Sequence, residues 1–331
     1  MNDTSSDSSL AEGQPSGPGV ETRDTLAEAA RKTLRMHFLR MVAEESATIE
    51  GLEVEALHAM RVATRRMRAA LRVFESYLDP AMVGPWIGEL QRIGRRLGAV
   101  RDMDIFREKT EAYLLQTGAE AGSDLSPLMR AWDAAHTSAR HALLDHLTSR
   151  RYRRFKRLFD AALTTKFPSV HPSASTVADL GEQLIRQRLG IVYSLGQLLS
   201  EPNPSLVLFH QLRIEVKSAR YLLEFLQEVL GPEAMLAIAD LRAIQDHLGN
   251  LQDAVVACSH IENVLTWGIW HAPRQPHTLW CRCPVDAGDV STYLTYRRDE
   301  IEGLVATFPE QWQRLQTPDF AQALNRALRV R

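Results

Sequence analysis

The chain has 331 residues, 45% of them apolar, with only 7% aromatics, 18 Gly and 15 Pro. That composition disfavours sandwiches and barrels, and no apolar run approaches the roughly 20 residues of a membrane span. The net charge of −2 hides an asymmetry, because residues 1–30 sum to −5, residues 31–157 to +7 and residues 158–331 to −4.

Residues 1–22 are rich in Ser, Gly, Pro and Asp and lack the basic and apolar regions of a secretory signal, so they are predicted to be a disordered acidic tail. Helical spacing begins near Asp24 with Leu26, Ala30, Leu34, Phe38 and Met41. It continues to about residue 165, with breaks expected near Gly51, Asp79-Pro80, Gly98 and Gly118–Gly122. The segment from Phe167 to Ser173 is the clearest internal boundary, after which Ser173 or Ser175 can cap a new helix. Glu201 to Ser205 and Gly231-Pro232 punctuate the second half, residues 271–289 read as irregular, and helices are expected near 288–308 and 318–329. The predicted class is all-α.

The two halves repeat one another. Leu57-His58-Ala59-Met60-Arg61 opens a pattern that recurs from Phe209-His210 at an offset of 152, and Leu97-Gly98 with Asp102 recurs as Leu248-Gly249 with Asp253 at 151. A unit of about 150 residues is too long for a solenoid and implies two related helical bundles. The first spans about 24–165 and the second about 174–310, with a C-terminal helix in 313–331.

Arg supplies 34 of the 39 basic residues, and its planar fork suits phosphate and carboxylate oxygens. His58, Arg61, Arg65, Arg68 and Arg72 recur every three or four residues, so they form one stripe along a helix, and no acid occurs from 57 to 74. An unneutralised ladder asks for an external polyanion; the competing explanation is neutralisation by acids from neighbouring helices. The second copy keeps His210, Arg213, Lys217 and Arg220 but has Glu224 where the first has Arg72. Further clusters are Arg92, Arg95, Arg96 and Arg101, then Arg153, Arg154 and Arg157 within a basic stretch, and Arg186 with Arg188.

Each histidine lacks a second ligand at metal spacing, so anion contact or packing accounts for it better than catalysis. Asp102 and Asp253 read as caps or orienting groups. Asp102 with Asp104 would serve a metal-dependent phosphohydrolase, an alternative function, and RNA binding is another. A scaffold docking to an acidic partner is a third. His271, His277, Cys281 and Cys283 lie within thirteen residues, but Cys-x-Cys is not usual zinc spacing. No nucleotide-binding or acyl-transfer motif is present, so no cofactor is expected. Three cysteines argue against a disulfide framework and fit a reducing cytoplasm.

The double motif, with Leu97-Gly98-Ala99-Val100-Arg101-Asp102 after its first copy, resembles the CHAD family, the conserved-histidine α-helical domain. The resemblance covers about residues 24–312 and implies two four-helix bundles with pseudo-twofold symmetry around a basic groove or pore that binds inorganic polyphosphate. It also implies association with polyphosphate granules and their proteins. On this reading the ligand contacts are His58, Arg61, Arg65, Arg66, Arg68, Arg72, Arg95, Arg96, Arg101, Arg153, Arg154, Arg157, Arg186, His210, Arg213, Lys217 and Arg220. Two features depart from the family pattern: Gln252 replaces the Arg of the Arg-Asp pair, and residues 267–286 do not match its helical ending. No CYTH domain accompanies it, since Glu53-Val54-Glu55-Ala56-Leu57 lacks the closing Lys of that domain's strand, and no enzymatic activity is expected.

Overall fold

The computed structural model describes residues 17–51, 53–117, 124–167, 175–199, 201, 204–271 and 288–329, and no strand occurs among them. The first half holds α1 (Leu26–Ala43), short α2 (Glu45–Glu50), α3 (Val54–Val73), α4 (Pro80–Gln116), α5 (Ser126–Leu147) and α6 (Arg150–Thr164). The second holds α7 (Val177–Leu198), α8 (Leu206–Phe225), α9 (Ala234–Trp267), α10 (Gly288–Gln316) and α11 (Pro318–Ala327). Side-chain caps set several starts: Thr25 accepts from the Glu28 N–H at 3.1 Å, Ser149 from Tyr152 at 3.1 Å, and Asp79 from Ala81 at 2.9 Å with Pro80 following. Thr176, rather than either serine before it, caps α7 in a reciprocal box with Asp179.

The elements repeat as the motifs do. Helix α8 begins and ends 152 residues after α3, and a 3₁₀ turn follows each at the same interval, Glu75–Tyr77 and Gln227–Val229. The halves also exchange matching bonds. The Val177 N–H donates to the Asp24 carbonyl at 2.9 Å and the Leu26 N–H to the Ser175 carbonyl at 3.4 Å, which joins the caps Thr25 and Thr176. The equivalent helices α3 and α8 pack on one another.

The apolar interior does not divide between the halves. One buried cluster runs from α1, α3 and α4 into α7, α8 and α9, with Phe74 and Phe225 stacked at 6.5 Å across the junction. A second cluster joins the ends of α4 and α9 to the starts of α5 and α10 around Phe106, Trp132, Trp270 and Tyr293. The duplicated helices therefore fold against each other, and this brings the two basic stripes into one place.

Three expectations from the sequence need correction. Gly98 does not interrupt α4: it is buried, and packing on both sides of a 37-residue helix outweighs the ~1 kcal/mol propensity cost of one glycine. Helix α10 likewise continues through Pro309 to Gln316. The tail prediction extends too far, because Val20 is 4% exposed and its N–H donates to Glu228 at 2.6 Å, while Lys32 holds the Gly19 carbonyl at 2.8 Å. His277, Cys281 and Cys283 lie outside the described residues, and His271 lies near the His260 ring, 5.2 Å between centroids.

Candidate anion site between α3 and α8

Good helix formers carry α3, and its apolar residues Leu57, Met60, Met67 and Leu71 are buried. That fixes the helix's rotation and turns the basic stripe towards α8. Gly94 on α4 leaves room for it, since a Cβ there would stand 3.0 Å from the Arg68 guanidinium.

Two cavities meet along the α3–α8 contact. The larger, about 640 Å³, is lined by His58, Arg61, Arg65 and Arg66 of α3 and by Arg213, Lys217 and Arg220 of α8. Helices α4 and α9 add Asp102, Lys109, Arg242, Gln245, Asp246 and Asp253. The smaller, about 330 Å³, is lined by Arg61, Arg65, Arg68, Arg72, Arg213 and Lys217 with Tyr221 and Gly94, and no carboxylate faces it. Arg61, Arg65, Arg213 and Lys217 border both, so the two cavities are sections of one basic groove.

Some of these charges are neutralised. Arg61 donates to Asp102 at 2.6 Å. Glu224 holds Arg220 in a close ion pair, Arg66 at 3.0 Å and Arg242 at 3.7 Å, and Gln245 accepts from Arg220 at 2.9 Å. Tyr221 lies under the guanidiniums of Arg220, Arg66 and Arg65, at 4.5, 5.5 and 5.9 Å from its ring centroid. Arg65, Arg68, Arg72, Arg213 and Lys217 have no carboxylate within 4.0 Å among the described residues. The two competing explanations of the ladders thus each hold for part of them.

The unpaired cations bear on one another. Burial, then Arg213, Arg65, Arg61 and Arg220, lower the pKa of Lys217 to about 7. Burial also lowers Arg213, with Asp253 opposing and Arg65 and Arg61 reinforcing. Arg68 is lowered by burial and by Arg72 and Arg95. Concentrated positive charge in a partly desolvated groove is costly, and a bound anion removes that cost.

The histidines differ. His58 lines the larger cavity with Nδ1 buried and unpartnered; burial, helped by Arg101, Arg65 and Arg61, lowers its pKa against the pull of Glu55. His210 is exposed and its Nδ1 lies 2.6 Å from the Gln252 amide oxygen, so the residue that replaces arginine in the second copy contacts the second histidine.

Other predicted contacts lie elsewhere. Arg95 and Arg96 are exposed on α4, and Arg101 bonds Glu108 at 2.8 Å. Arg153, Arg154 and Arg157 are exposed on α6, which packs on α1, α4 and α5 and does not line the groove. Arg186 on α7 bonds Glu182 at 2.7 Å and Asn325 at 3.0 Å, away from the ladders. Lys109, Arg242 and Arg297 line the larger cavity without having been singled out from the sequence. Lys109 had a faint signal, standing seven residues after Asp102 on the same helical face. Asp102 and Asp104 do not share a face, because Asp102 accepts from Arg61 while Asp104 lies 3.1 Å from His136 of α5.

A CHAD domain family model matches residues 32–262. The fold is similar to that of PptA from Streptomyces chartreusis, at a TM-score of 0.67 and 20% identity over 88% of this chain and 99% of that one. It is also similar to the CHAD domain from the plant Ricinus communis, at a TM-score of 0.57 and 23% identity over 94% of this chain and 96% of that one. No curated protein matches the chain.

Proposed function

The chain belongs to the CHAD domain family, and from that membership we propose that it binds inorganic polyphosphate, without hydrolysing it, in the groove between α3 and α8. The observation that carries this reading is the set of cations without a carboxylate partner, Arg65, Arg68 and Arg72 on one wall and Arg213 and Lys217 on the other. Polyphosphate is a flexible linear polyanion that can follow such a groove, and each neutralised phosphate releases condensed counterions. Arg61 and His58 complete the wall at the α4 side. Polyphosphate granules, their proteins and a cytoplasmic setting belong to the same proposal; among the described residues no helix is long and apolar enough to cross a membrane.

RNA would need aromatic platforms for its bases. Tyr221 is 1% exposed and covered by guanidiniums, so it offers no free face. A phosphohydrolase built on Asp102 and Asp104 is disfavoured by their separate partners.

Titration of the full chain with polyphosphate of several lengths, alongside RNA of matched charge, tests the reading. Polyphosphate should displace RNA, no orthophosphate should be released, and log K should fall with log salt at a slope of about −3.5, five contacts at ~0.7 each. RNA displacing polyphosphate, or a slope near zero, overturns it.

A further inference from the structure

The groove has two unlike ends. The larger cavity includes the carboxylates Asp102, Asp246 and Asp253, whereas the cavity ending at Arg68 and Arg72 is lined by none, and one acid, Glu75, stands just beyond those two arginines. On the α4 side positive charge continues from that second end. Arg95 on α4 acts electrostatically on Arg68. Arg92, Arg96 and Arg151 all act on His146, and Arg92 and Arg151 both bond Glu89, at 3.4 and 2.6 Å, which ties the start of α6 to α4. Helix α6 buries Tyr152, Phe155, Phe159 and Leu163. At 100° per residue, Arg150, Arg153, Arg154 and Arg157 then form a stripe on the opposite face, about 10 Å long.

All four are exposed and none has a carboxylate within 4.0 Å among the described residues. The neighbouring acids Glu89 and Glu45 are taken by Arg151 and by Lys156 at 2.6 Å, and Asp160, one turn beyond Arg157 on the same face, ends the stripe. The second half has no counterpart. Asp246 and His247 occupy the places of Arg95 and Arg96, with His247 bonded to the Leu304 carbonyl at 2.7 Å, and α11 carries Arg326 as its one arginine, together with Asp319.

We propose that the outer face of α6, reached across Arg95 and Arg96, is a second polyanion site that holds the part of a long polyphosphate chain emerging from the Arg68–Arg72 end of the groove. The inference rests on the polyphosphate reading of the groove and adds to it a one-sided exit. Chains short enough to lie within the groove gain nothing from α6. Longer chains bind more tightly and with a steeper salt dependence, and the overhang leaves through the first half only.

The test uses the full chain with R153A/R154A/R157A and with its lysine counterpart R153K/R154K/R157K. These positions are exposed, and circular dichroism confirms the folded state. Salt-dependent titrations are run with polyphosphate short enough for the groove and with chains several times longer. For long chains the alanine variant should lose about 2 from the magnitude of the slope, three contacts at ~0.7 each, while the lysine variant keeps it and short-chain binding is unchanged. Equal effects on short and long chains, or no effect on either, overturn the exit site. Loss of RNA or anionic-vesicle binding with long-chain polyphosphate binding intact also overturns it. R65A/R213A separates this from failure of the groove itself: if that variant binds short chains normally, the groove reading fails, whatever α6 does.

Discussion

Helices α3 and α8 carry the same motif at the same interval, yet their basic stripes end differently. On α3 the ladder runs on through Arg68 and Arg72, both exposed and free of carboxylate partners among the described residues. On α8 it stops at Arg220, which is 4% exposed and held by Glu224 and Gln245. Glu224 occupies the position equivalent to Arg72. One change of sign thus turns the last rung of a basic ladder into a structural clamp that also takes in Arg66 and Arg242. Motif spacing says where a cation points, and its neighbours decide whether it is available.

The largest expected effect comes from cutting both ladders at the centre of the groove. R65A/R213A should lower polyphosphate affinity at least 100-fold, because each charge-assisted contact is worth about 1.5–3 kcal/mol. A measurable loss below tenfold in calorimetric titration would show that the ends of the groove carry the binding, and no loss at all would defeat the groove reading.

Stability should separate the stripes next. Arg220→Ala leaves Glu224 short of its closest partner in a buried site and should cost about 3 kcal/mol. Arg68→Ala, at an exposed place among like charges, should change stability by less than about 0.5 kcal/mol. Urea denaturation of the two variants checks this, and equal stabilities would mean that Arg220 is not clamped.

A smaller difference is expected in binding. R65A/R68A removes two unpaired cations, whereas K217A/R220A removes one unpaired and one already committed. Among folded molecules the first pair should weaken binding more and lose about 0.7 more from the salt slope, the worth of one contact. A larger loss in the second pair would reverse the ranking of the ladders.

The last contrast concerns pH. Lys217 has a pKa of about 7 in the folded protein against 10.5 ordinarily, so between those values the unfolded chain holds a proton that the folded chain lacks. Without ligand, stability should therefore rise with pH from about 7 towards 10.5, and Lys217→Met should remove that rise. A bound anion favours the charged form, so binding near pH 7 should take up a fraction of a proton and weaken as pH rises. Titrations in two buffers of different ionisation enthalpy measure the uptake; proton release would contradict the assignment.

The ladders, the duplication and the helical class were legible in the sequence because each is a matter of local spacing. A 3.6-residue period places Arg61, Arg65, Arg68 and Arg72 on one stripe wherever the helix lies. Membership of the groove was not legible, because position in space decides it. Arg153, Arg154 and Arg157 looked like groove residues by composition, but the apolar stripe of α6 turns them away from the groove. Arg186 is taken by Glu182 and Asn325. Lys109 and Arg242 lie outside both ladders, and only the seven-residue spacing of Lys109 from Asp102 marked either of them. Gly98 looked like a break because propensity is local, whereas its burial within α4 is not.

By itself the sequence determined the helices, the faces they bury and the twofold recurrence of a basic stripe, since these follow from side-chain order along one helix. Only the tertiary structure decided that α3 packs against α8, so that stripes about 150 residues apart share a groove. It also decided that Asp102 and Glu224 silence Arg61, Arg66 and Arg220 while Arg65, Arg213 and Lys217 stay unpaired. The physical reason is range: helical periodicity acts over a few residues of chain, whereas desolvation and ion pairing act over a few ångströms of space, between groups that only the packed core brings together.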